Sequence, residues 1–133
     1  MSVGLLIITH DQLGANLLQT ATAMLDVCPL DAKALAVHNK DDPDKLLEQA
    51  NELAGEIDDS DGVLVLTDIY GSTPSNIAVR MLKNGHTMVV AGVNLPMLIR
   101  ILNYPRLNLE ELAEKALSGG RDGILLCKND PWS

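Results

Sequence analysis

The sequence predicts an α/β three-layer sandwich with a mostly parallel central sheet. Short runs of consecutive apolar residues alternate with segments whose apolar residues recur at helical spacing, and polar turns separate the two. A strand that is apolar at every position suits a sheet covered on both faces, and strand-helix alternation implies right-handed crossovers.

The run Val3 to Ile8 is expected as the first strand, broken by Thr9, His10 and Asp11. Leu13, Leu17, Leu18, Ala21, Met24 and Leu25 then recur as one helical face, ending near Pro29. Ala32 to Val37 reads as the second strand. Asp41 to Asp44 offers an N-cap, a first-turn proline and early negative charge for a helix to about Ile57. Gly62 to Thr67 is the third strand. The turn Asp68 to Pro74 leads into a helix from Pro74 or Ser75 to about Asn84. His86 to Val93 is the fourth strand, followed by Asn94 to Pro96 and one or two helices through Leu117. A turn at Gly119 and Gly120 and a last strand, Gly123 to Cys127, complete the pattern.

With 133 residues, 47% of them hydrophobic, the chain suits one domain, expected over 1–127, with a polar tail at 128–133. The longest apolar runs fall far short of the roughly 20 residues of a membrane-spanning helix, and the start lacks the features of a secretory signal. A soluble, cytoplasmic protein is expected. The net charge of -8, with ten Lys and Arg against 18 Asp and Glu, argues against a nucleic-acid partner. Cys28 and Cys127 lack a CxxC or metal-ligand pattern and are expected as buried reduced thiols. No metal and no cofactor is expected.

Ligand sites in open α/β sheets gather at the carboxyl ends of the strands. Three polar turns are expected at that edge: Thr9 to Asp11, Asp68 to Thr73, and Asn94 to Pro96. A neutral imidazole is a nucleophile when one ring nitrogen is bare, and a carboxylate on Nδ1-H fixes that tautomer. His10 is the candidate nucleophile and Asp68 the candidate carboxylate, because strands one and three adjoin in the common doubly wound order. Gly71, Ser72 and Thr73 precede a helix whose N-H groups, with the two hydroxyls, would stabilise a phosphoryl group. Each residue also has a plainer reading: a solvated histidine, a turn aspartate, ordinary helix-start punctuation. Asp11 reads either as a second carboxylate or, preferably, as an N-cap. His38 and His86 read as structural, and Tyr70 as shielding the site or meeting a partner.

The segments Gly4–His10 (GLLIITH), Val63–Asn76 (VLVLTDIYGSTPSN) and Ala91–Leu98 (AGVNLPML) together resemble the IIA component of the mannose/fructose-type sugar phosphotransferase system. Gly119 to Gly123 also fits that family's final turn. The resemblance implies phosphorylation of His10 on Nε2 by the phosphocarrier HPr and onward transfer to a IIB component or domain. It makes Asp68 the acid that orients the histidine and Thr73 the hydroxyl at the helix start. It further implies a homodimer, with the last strand exchanged into the neighbouring sheet, and peripheral association with a membrane IIC/IID complex. Asp11 and Ser72 stand where that family often has glycine.

Two other purposes compete with a transport relay. A standalone IIA protein would be a regulator whose phosphorylation state controls a partner. A histidine phosphatase would need an Arg-His-Gly turn, which is missing, and an arginine cluster; Arg80, Arg100 and Arg106 are the candidates, with only Arg100 close after a site turn. A nucleotide site has neither a GxGxxG nor a GxxxxGK[ST] loop to support it.

Overall fold

Seven consecutive residues, Gly4–His10, form strand β1, and the first six are buried. The computed structural model describes residues 2–129, the side chain of Asn84 excepted. Along the chain follow α1 (Leu13–Leu25), β2 (Ala32–Val37), α2 (Pro43–Ile57), β3 (Val63–Thr67), α3 (Thr73–Arg80) and a 3-10 turn (Met81–Asn84). Then come β4 (Thr87–Ala91), α4 (Leu95–Leu102) and α5 (Leu109–Asp122).

The four strands are parallel in the order β2-β1-β3-β4. β1 is therefore central, with β2 on one side and β3 on the other, which explains its burial on both faces. Alternate side chains enter separate cores. Leu5, Ile7, Leu64 and Leu66 pack under Leu98, Ile101, Leu112 and Ala116, whereas Leu6, Ile8, Val63 and Val65 meet Leu46, Ala50, Ile57 and Ile77. Helices α1, α4 and α5 thus cover one face and α2 and α3 the other, giving the three layers.

Most expected elements form, with boundaries shifted by a residue or two; the helix after β3 ends at Arg80 and tightens into the 3-10 turn. Within the single chain, Gly123 to Cys127 pairs with no strand of the described residues, and Ile124, Leu125 and Leu126 stand in solvent. Two expectations are corrected. Gly119 and Gly120 are not a turn but part of α5. A Cβ on Gly119 would lie 2.4 Å from the Cβ of Arg100, so this glycine lets α5 close on α4. Both cysteines are exposed rather than buried, Cys28 in the α1-β2 loop and Cys127 beyond α5. Of the expected tail, residues 130–133 lie outside the described residues.

Candidate functional site

Parallel pairing puts the carboxyl ends of β1 and β3 side by side, in the register Ile8↔Thr67. His10 ends β1, and Asp68 follows β3 directly. One oxygen of Asp68, Oδ2, accepts the backbone N-H of His10 at 2.8 Å and lies 2.8 Å from its Nδ1. The other oxygen accepts the Ile69 N-H at 2.9 Å. The His10 side chain is 51% exposed and that of Asp68 only 6%, so the carboxylate is a fixed base under an accessible ring.

Burial, the largest influence, pushes the Asp68 carboxyl up. The hydrogen bonds from the backbone and ring of His10 and from Ile69, together with attraction to the His10 charge, outweigh it and hold the group below the ordinary carboxylate value. An ionised Asp68 only accepts, so Nδ1 of His10 carries a proton, and in the neutral ring Nε2 is the nitrogen with the lone pair. This is the arrangement of a nucleophilic imidazole.

The turn after Asp68 is built to start a helix. Gly71 has φ +89°, in the left-handed region that glycine enters freely. Ser72 is the N-cap residue of α3, but its hydroxyl donates to the Ile69 carbonyl at 2.6 Å instead of capping. No side chain caps α3, which leaves its first-turn N-H groups, beside the Thr73 hydroxyl, available to an anion. Ile69 and Tyr70 are exposed on this turn.

Other expected site residues have structural employment. Thr9 is buried, and its hydroxyl accepts the Gly14 N-H at 2.7 Å in the first turn of α1. Asn94 caps α4 by accepting the Met97 N-H at 2.9 Å and ties α4 to α5 by donating to the Gly120 carbonyl at 3.0 Å. Arg80 reaches Asp44, and Arg100 reaches Ser118 and Asp122 on α5. His86 precedes β4, at the opposite edge of the sheet.

Asp11 is not an N-cap: that position is Gln12, and the Asp11 carboxylate lies 2.8 Å from Nδ1 of His38. Sequence reasoning had set His38 aside. The only available signal was its place just after β2, the strand neighbouring His10.

Among the described residues no helix is long and apolar enough to cross a membrane. A family model, EIIA-man, described as the PTS system fructose IIA component, matches residues 4–117. The PTS system mannose-specific EIIAB component of Escherichia coli K12 is 31% identical over 136 residues, covering 98% of this chain and 41% of that protein. The chain thus spans less than half the length of that relative. The PTS system fructose-specific EIIA component of Bacillus subtilis is 31% identical over 84 residues, 62% of this chain and 58% of its own. Among solved structures, the mannose/sorbose-specific IIA subunit from Enterococcus faecalis matches with a TM-score of 0.81 at 27% identity, covering 98% of both chains. A PTS IIA protein associated with a fucose utilization operon of Streptococcus pneumoniae matches with a TM-score of 0.72 at 25% identity, covering 89% of this chain and 93% of that one.

Proposed function

The chain belongs to the EIIA-man family, the mannose/fructose-type IIA components of the sugar phosphotransferase system, and from that membership we propose that it is a phosphocarrier in which His10 accepts a phosphoryl group from HPr and passes it to a IIB component. The observation that carries this reading is the 2.8 Å contact of His10 Nδ1 with the buried Asp68 carboxylate, which leaves Nε2 bare on an exposed ring.

In the accepting step the Nε2 lone pair forms a bond to phosphorus while the donor's bond to phosphorus breaks and its electron pair stays with the donor. Asp68 stabilises the positive charge that develops on the ring. The first-turn N-H groups of α3, with the Thr73 hydroxyl, receive the equatorial oxygens, whereas the Ser72 hydroxyl, expected to join them, spends its one proton on the Ile69 carbonyl. Thr9, Asp11, Gly71 and Asn94 shape the surrounding turns. Transfer to IIB is the same displacement with His10 as the leaving group.

The reading extends to a family domain over 1–127, a cytoplasmic location, a homodimer and peripheral association with a membrane IIC/IID complex. The exposed run Ile124, Leu125 and Leu126 supports the dimer, since three consecutive apolar side chains in solvent favour an apolar partner.

The test is transfer from phosphoenolpyruvate through enzyme I and HPr, followed by acid and base treatment of the product. An acid-labile, base-stable label at one equivalent, lost in His10→Ala, is expected. No label on the folded protein, or full label on His10→Ala, overturns the proposal.

A further inference from the structure

A second imidazole at the same sheet edge also has a carboxylate on its Nδ1. The β1-β2 ladder runs on past the strands, Asp11 N-H donating to the Val37 carbonyl at 3.0 Å, so Asp11 and His38 come side by side. His38 Nδ1 lies 2.8 Å from Asp11 Oδ1, and both side chains are more than half exposed. A buried polar group therefore does not account for the pair.

Asp11 has φ +47°, a conformation that costs an L-residue free energy. The carboxylate directly after the nucleophilic histidine thus sits on strained backbone and is tied sideways to a neighbouring strand. The tie runs to the β2 side of β1, opposite to the β3 side that carries Asp68 and leads into α3.

The two dyads differ in their surroundings. Asp68 is buried, and α3 starts nearby in sequence without a cap. His38 donates its backbone N-H to the Asp41 carboxylate at 2.8 Å and shares a hollow with Asp41, Asp42, Lys45 and Gln49; Lys40 lies two residues along the loop. Three carboxylates, Asp11, Asp41 and Asp42, against Lys40 and Lys45 make this a poor place for a phosphoryl anion, so His38 is not a second acceptor. Its effect is on the position of the Asp11 charge.

Resting on the phosphocarrier reading, we propose that His38 is a positioning residue that holds the Asp11 carboxylate on the β2 side, clear of the phosphoryl anion approaching His10. Without His38, the carboxylate of Asp11 swings freely beside the nucleophile and repels the incoming group.

The experiment is single-turnover labelling by phosphorylated HPr, at low and high salt, of the wild type, His38→Ala, Asp11→Gly and the double variant. His38→Ala is expected to label more slowly by about five- to tenfold at low salt and by less at high salt, because exposed charges are screened. Adding Asp11→Gly to His38→Ala is expected to restore the rate to that of Asp11→Gly alone, which simple damage to the fold would not allow. A wild-type rate in His38→Ala, or a double variant as slow as His38→Ala, overturns the inference while the phosphocarrier reading stands. A folded wild type that takes no label overturns that reading, and this inference with it.

Discussion

A single oxygen of Asp68 accepts both the backbone N-H and the ring Nδ1 of His10, each at 2.8 Å. This double hold fixes the ring's tautomer and its place relative to the main chain at once, so the imidazole and the carboxylate beside it move as one unit.

Asp68→Ala is expected to slow phosphoryl acceptance by about 10- to 100-fold, the usual scale for losing a group that orients a reactive imidazole, while His10→Ala abolishes it. Far-UV circular dichroism of both variants should match the wild type. An Asp68→Ala protein that labels at the wild-type rate would remove Asp68 from the mechanism.

Acid should weaken the fold through the same contact. The folded-state carboxyl of Asp68 titrates below its ordinary value, so its contribution is full above the unfolded-state pKa and is lost as pH falls through the folded one. Urea midpoints from pH 7 down to pH 3 are expected to fall less steeply in Asp68→Asn than in the wild type. Parallel curves would contradict this.

Gly119→Ala tests packing against propensity. Alanine favours a helix interior over glycine by about 1 kcal/mol, yet its Cβ would sit 2.4 Å from the Cβ of Arg100. Overpacking at this contact is expected to win, with a net loss of about 1–3 kcal/mol in urea unfolding. A more stable variant would show that α5 can move away from α4 at little cost.

Leu125→Asp addresses the exposed run after α5. Leu125 is 78% exposed in the single chain, where a polar replacement changes stability by no more than about 0.5 kcal/mol. Sedimentation velocity at micromolar concentration is expected to give a dimer for the wild type and a monomer for Leu125→Asp. A wild-type monomer would refute the dimer.

Legibility in the sequence followed the range of the interaction. Consecutive apolar residues announce a buried strand and helical spacing a covering helix, because those patterns act within a few residues. The β-α alternation, with the common doubly wound strand order, then led to His10 and Asp68 at adjoining strand ends, although 58 residues separate them. Gly119 and Gly120 misled because glycine marks a turn locally but also allows close helix contact, and only the position of α4 distinguishes the two. The cysteines misled for a similar reason: apolar neighbours in the chain do not decide which side of a loop faces solvent.

The sequence by itself determined the α/β class, the four strands that form the parallel sheet and the sheet edge at which His10 and Asp68 meet. The tertiary structure decided which partners those residues take. It buried Asp68 beneath the His10 ring, turned the Asp11 carboxylate to His38 across 27 residues of chain, and left Ile124 to Cys127 without a strand partner among the described residues of the single chain. Local patterns set which elements form, whereas a 2.8 Å contact between distant residues depends on strand register and the direction of each side chain, and these arise only when the layers pack.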